Sequence, residues 1–151
     1  MNKLNGILNN LESQVQYFDI TNSAISSVSV GWHIDHSCLV IIKITETIQA
    51  SDPLKYKSKF SFMKQLVFLM GKFPRGKAQA PKAVLPNDVI TREELVIKIQ
   101  TARAAIKALS DCARNQFFLH PIFGNLNTPS TIQFLGIHTK HHLSIIKDML
   151  K

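Results

Sequence analysis

The stretch Leu135-Gly136-Ile137-His138-Thr139-Lys140-His141-His142-Leu143-Ser144-Ile145-Ile146-Lys147-Asp148-Met149 decides how the chain folds. Leu135, His138, His142, Ile145 and Met149 recur at spacings of three, four, three and four, the period of one helix face. The stripe is apolar at its ends and carries imidazoles at its two middle positions. Residues four apart stand one turn above the other on the same side of a helix, so both rings point at whatever the stripe packs against. A single histidine on an apolar face is usually a hydrogen-bonded core residue. Two at successive core positions each need partners for both ring nitrogens, and a shared ion would satisfy one nitrogen of each. His138 and His142 therefore read as metal ligands, whereas His141, on the flank of the stripe, reads as solvated or as an outer neighbour of the site.

Working towards the N-terminus, Thr128 is predicted to cap this last helix, with Pro129 at its first position. Before it, residues 115–127 form a connector holding His120-Pro121-Ile122-Phe123-Gly124, in which His120 reads as a turn residue rather than a further ligand. Thr91-Arg92-Glu93-Glu94 makes a capping box, and Leu95, Ile99, Ala102, Ile106 and Leu109 follow at helical spacing, which defines the third long helix. Gly71, Pro74, Gly76, Pro81 and Pro86 predict a long loop before it, and Ser61 to Met70 a short helix before that loop. The second long helix is expected to be capped by Ser27 or Ser29, to continue to about Ala50 and to stop at Ser51-Asp52-Pro53. Its Val40-Ile41-Ile42 run has strand character, but some twenty residues without a turn signal favour a helix. Leu4, Ile7, Leu11, Val15 and Phe18 mark the first helix. The prediction is an all-α, four-helix domain spanning residues 1–151, with His33 and His36 on its second helix; His33 reads as a hydrogen-bonded core residue and His36 as able to approach the pair on the last helix.

Composition narrows the classes. At 151 residues, 45% hydrophobic and 19% charged, the chain is long enough for one core, and it is not disordered, collagenous or disulfide-scaffolded. The N-terminal residues lack the apolar block of a secretory signal, and no apolar run approaches the roughly 20 residues of a membrane span, so a cytoplasmic protein without a membrane role is expected. Cys38 and Cys112 read as free core thiols. The net charge of +8 comes from Lys55, Lys57, Lys59, Lys64, Lys72, Arg75, Lys77 and Lys82, an acid-free stretch. The other ten basic residues are matched by ten acidic ones, so an anionic partner would bind this segment. Lys55-Tyr56-Lys57-Ser58-Lys59-Phe60-Ser61-Phe62 interleaves basic and aromatic residues as nucleic-acid stacking surfaces do, but no recognised nucleic-acid motif accompanies it. Phe60 and Phe62 serve equally well as anchors of the loop to the helices.

Ser29 to His36 on the second helix together with His138-x-x-x-His142 on the last resembles the DinB-like superfamily of metal-binding four-helix bundles. Trp32-His33-Ile34-Asp35-His36, Arg75-Gly76-Lys77-Ala78-Gln79-Ala80-Pro81-Lys82, His120-Pro121-Ile122-Phe123-Gly124 and His138 to Leu143 resemble an uncharacterised-domain branch within it, over nearly the whole chain. The resemblance implies an up-down-down-up bundle and a three-histidine centre, with His36 matching the second-helix ligand and His138 and His142 the last-helix pair. It also implies a homodimer. Relatives with an assigned reaction include thiol-dependent transferases and an isomerase that uses a low-molecular-weight thiol. No carboxylate pattern accompanies the last-helix histidines, so the resemblance names no general base.

Three neutral imidazoles leave coordination positions open, which suits zinc, nickel or another borderline divalent ion. Such an ion lowers the pKa of bound water towards about 7 and ionises a bound thiol. Three expectations follow: transfer of a thiol to a small electrophile, with Arg75, Lys77 and Lys82 attracting an anionic cosubstrate; metal-dependent hydrolysis; or a non-catalytic metal- or ligand-binding stress protein in which the ion braces two helices.

Overall fold

The computed structural model describes residues 2–73, 84–86 and 90–151. The chain is mostly helical, with five α-helices and one small two-stranded sheet among the described residues. Leu4, Ile7, Leu8 and Leu11 form the buried face of α1, Asn2–Glu12. The helix ends earlier than its apolar spacing predicts. Ser13 Oγ donates to the Asn10 carbonyl at 2.9 Å, competing for an acceptor the next turn would use, and Val15 enters the core from a 3-10 turn, Val15–Tyr17, instead.

Of the two serines predicted to cap the second long helix, it is Ser29 that accepts the Trp32 backbone N–H and starts α2, Val30–Gln49. Gly31, in its first turn, donates its N–H to the Phe18 carbonyl at 2.7 Å. A Cβ there would lie 2.8 Å from that oxygen, so the approach of the preceding segment to α2 requires glycine. From His33 to Cys38 every residue of α2 is buried, the mark of a helix covered on several sides rather than along one stripe. That burial explains how the Val40-Ile41-Ile42 run is held helical: side-chain packing outweighs the modest helix penalty of β-branched residues.

After α2, Asp52 caps a 3-10 turn at Pro53–Lys55, and Ser61 caps α3, Phe62–Met70, which Gly71 closes in the left-handed conformation at φ 62°. Only Val67 of α3 is buried. Phe60 and Phe62 are exposed, so the reading of these rings as loop anchors is not met. The capping box forms as the sequence predicts: Glu94 N–H donates to Thr91 Oγ1 and Thr91 N–H to Glu94 Oε2, opening α4, Arg92–Ser110. Its buried face is Leu95, Ile99, Ala102, Ile106 and Leu109.

The predicted connector is in fact an antiparallel hairpin, β1 (Phe117–His120) and β2 (Gly124–Asn127), in register from Phe117 opposite Asn127 to His120 opposite Gly124. Gly124 adopts φ 71°, and the His120 Nδ1 accepts the N–H groups of Ile122 and Phe123, so a glycine and an imidazole together make the turn. The last helix, α5 (Thr128–Met149), is capped by Asn127, whose side chain accepts the Ser130 N–H, and not by Thr128. The Thr128 hydroxyl instead donates to the Ala113 and Gln116 carbonyls, fastening the start of α5 to the segment between α4 and β1. Helix α2 packs on α4 and α5, and α1 packs on the same pair, around one core. Cys38 is a free thiol in that core, while Cys112 lies half-buried just beyond α4. Among the described residues no helix is long and apolar enough to cross a membrane.

Candidate metal centre

The packing of α2 against α5 brings His36, His138 and His142 to one point. One ligand atom from each lies within 4.8 Å of the others. The ring centroids stand 5.2 Å apart for His36 and His138, 4.8 Å for His36 and His142, and 4.6 Å for His138 and His142. Ligands of one four-coordinate zinc sit roughly 3.4 Å apart for a Zn–N bond of about 2.1 Å, so the three atoms are near the spacing that one ion requires without yet having closed to it. His36 and His142 are buried and His138 is half-buried.

The hydrogen bonds decide which atoms are available. The Nδ1 of His36 lies 2.7 Å from the Val84 carbonyl oxygen, which only accepts, so Nδ1 carries the proton and Nε2 keeps its lone pair for an ion. The Nδ1 of His142 is engaged with His33 at 2.9 Å, so Nε2 is the nitrogen of His142 that remains for an ion. The Nδ1 of His138 is enclosed and has no hydrogen-bond partner among the described residues. Buried polar atoms are nearly always partnered, so an orphan beside two converging imidazoles is what a cation site presents. The residues fit a divalent metal.

Burial sets the protonation state. It pulls the pKa of His36 below the ordinary value, against the opposing pull of the Val84 hydrogen bond and of Asp35. It pulls His138 and His142 well below, and the neighbouring imidazoles add to the shift because clustered cations repel. His33 is lowered to about 4, again chiefly by burial. All three ligand rings are therefore neutral at pH 7 and need release no proton to bind an ion. Among the described residues no carboxylate or thiolate joins the set. Asp35 adjoins His36 in sequence, but both its oxygens take hydrogen bonds from the Lys98 ammonium, at 2.9 and 2.7 Å. A dication held only by neutral nitrogens keeps its full charge, which favours Lewis acidity over a merely structural role.

Aromatic rings wall the centre. Trp32, one turn before His36 on α2, stacks on its ring at 4.9 Å with an interplanar angle of 16°. Phe134, one turn before His138 on α5, lies 5.7 Å from that ring, and Phe73 lies 6.4 Å away. Neither Trp32 nor Phe134 was assigned a role from the sequence, although their places four residues before His36 and His138 are a signal that could have found them. Val84 and Phe73 had no local signal. His120 stays a turn residue, stacked on Phe123 at 4.3 Å, and His141 is half-buried on the flank of the ligand pair. Arg75, Lys77 and Lys82, expected to receive an anionic cosubstrate, lie outside the described residues.

The lowered pKa values give a pH dependence with a definite sign. Between about 4 and the ordinary 6.5, an unfolded chain protonates His33 while the folded chain does not, so stability rises with pH across this window and is lost as pH falls through it. For His33 alone the loss by pH 4 is on the order of 3 kcal/mol. Urea unfolding of metal-free protein at pH 7, 5.5 and 4.5 should show a falling midpoint, and a flat profile would mean that these rings take up protons in the native state as readily as in water. No family model, no curated protein and no solved structure matches this chain.

Proposed function

We propose that this chain is a metal-dependent enzyme whose centre of His36, His138 and His142 holds zinc or nickel and promotes transfer of a low-molecular-weight thiol to a small electrophile. The carrying observation is the convergence of three neutral imidazoles with no anionic ligand among them. Bound there, the ion would supply Lewis acidity and lower the pKa of a thiol or water drawn to it. The protein's part is placement: α2 and α5 aim the rings, Val84 fixes the tautomer of His36, and Trp32 and Phe134 keep an apolar margin in which electrostatic effects are strong. Arg75, Lys77 and Lys82 are proposed to attract the anionic cosubstrate. The resemblance to the DinB-like superfamily supports the same reading, with α1, α2, α4 and α5 as an up-down-down-up bundle that pairs as a homodimer.

The test is metal analysis of protein purified without an affinity tag, followed by assay of the metal-loaded protein on electrophiles with and without added low-molecular-weight thiols. One ion per chain and turnover that requires the thiol are expected. Turnover of esters or amides without any thiol would instead identify a hydrolase, which the same geometry supports because open coordination positions admit water as well as sulfur. One ion per chain with no turnover on either class would leave the ion a brace between α2 and α5.

A further inference from the structure

His33 is buried on α2, three residues before His36, yet it is not one of the three converging ligands. Both its nitrogens are engaged. Its Nδ1 lies 2.9 Å from the Nδ1 of His142, and its Nε2 lies 3.0 Å from the Ser26 hydroxyl oxygen. Two ring nitrogens facing each other at that distance share one proton, so one ring donates and the other accepts. The direction follows from the ligand role of His142. If its Nε2 gives a lone pair to an ion, the ring's proton sits on Nδ1, which then donates to His33 Nδ1. The proton of His33 is thereby placed on Nε2, which donates to Ser26 Oγ. Ser26 Oγ also accepts the Val28 N–H at 3.3 Å, so its accepting capacity is filled and the chain of donors ends in a satisfied oxygen.

We propose that His33, anchored by Ser26, is the positioning residue of the metal centre: it holds His142 in the tautomer and ring orientation that expose Nε2 to the ion. This rests on the metal-centre reading above. Ligating histidines characteristically donate their second N–H to an oxygen acceptor, as His36 does to Val84, and loss of such a partner typically costs 10- to 100-fold in metal affinity. Here the acceptor is a second imidazole, which accepts only while its own proton is drawn off by Ser26. The reverse polarity, His33 donating to His142, would put a proton on the ligating atom. The ion and the relay therefore set each other, and removing Ser26 weakens the hold on a proton two bonds away from the ligand. The relay also explains why a histidine occupies a buried position where leucine would pack at no polar cost.

The experiment measures zinc affinity of the full chain by competition with a chromophoric chelator, for wild type, His33→Leu, His33→Asn and Ser26→Ala. The visible spectrum of the cobalt-substituted forms and circular-dichroism melts are recorded alongside. His33→Leu keeps the bulk but cannot accept, and should bind zinc about 10- to 100-fold more weakly with an altered cobalt spectrum. His33→Asn sets an amide oxygen near the place of Nδ1 and should recover most of that loss. Ser26→Ala should show a smaller weakening. Wild-type-like affinity and spectrum in His33→Leu would overturn the relay, as would equal weakening in the leucine and asparagine variants, which would assign His33 to packing alone. If His33→Leu fails to fold, the other two decide: wild-type-like zinc affinity and cobalt spectrum in Ser26→Ala, or a weakening of about 10-fold or more in His33→Asn, would overturn the relay. Failure of the wild type itself to bind zinc or cobalt would show that the metal reading, and the relay with it, is wrong.

Discussion

Replacing His138 by alanine should empty the centre of metal and leave the helices standing. The ring comes from the middle of α5, one turn before His142, and supplies one of three imidazole ligands. Two nitrogens do not hold a borderline dication as three do, and since loss of an outer partner alone costs 10- to 100-fold, loss of a ligand should exceed about 100-fold. The effect on the metal-free fold is expected to be small for a specific reason. Truncating a buried side chain normally costs a few kcal/mol, through lost contacts and the cavity left behind. At this position the substitution also deletes an enclosed nitrogen that has no partner among the described residues, and an unsatisfied buried polar atom itself costs about 1–3 kcal/mol. The two contributions oppose each other, so metal-free wild type and variant should melt within a few degrees of one another. They should part company when zinc is added. At a free concentration 100 times the dissociation constant a bound ligand adds about 2.7 kcal/mol, a stabilisation that only the wild type should show. If zinc raises the melting temperature of His138→Ala as far as that of the wild type, the three histidines are not the site.

The pair His138 and His142 was legible because its signal is local: a spacing of four on an otherwise apolar stripe survives any error in the rest of the fold. The capping box at Thr91 and Glu94 was legible for the same reason. What failed was short or marginal. The hairpin Phe117–Asn127 has strands of four residues each, below the length at which alternation separates from a loop, and its only clear signal was Gly124 after Pro121. The cap of α5 fell on Asn127 rather than Thr128 because both side chains suit the position and only tertiary bonds to Ala113 and Gln116 claim the threonine. The partners of the histidines were not legible at all. His33 meets His142 across 109 residues and His36 meets Val84 across 48, and no pattern in the chain records such encounters. His33 was correctly read as a hydrogen-bonded core residue, but what it bonds, a candidate ligand, is visible only in three dimensions.

Lys98→Met is expected to cost the fold what His138→Ala costs the metal. Asp35 is buried on α2, and the Lys98 ammonium reaches it from the first half of α4, bonding both oxygens at 2.9 and 2.7 Å. Methionine keeps most of the aliphatic stem but leaves the carboxylate without its cation. Breaking one side of a buried ion pair typically costs 3–5 kcal/mol, because the remaining charge has lost both water and partner. That is a large share of the roughly 5–15 kcal/mol by which a domain this size is stable. Urea denaturation should register it as a fall in midpoint with little change in slope. The double variant Asp35→Leu with Lys98→Met should recover most of the loss, since a buried pair exchanged for apolar groups of similar volume is often neutral or better. Metal affinity should move the other way or stay level: an uncompensated carboxylate next to His36 adds an attractive field for a dication. Unfolding of Lys98→Met within about 0.5 kcal/mol of wild type would mean that water reaches Asp35 when the lysine is gone. A parallel loss of zinc affinity would mean that the ion pair, and not the imidazoles alone, sets the geometry of the centre.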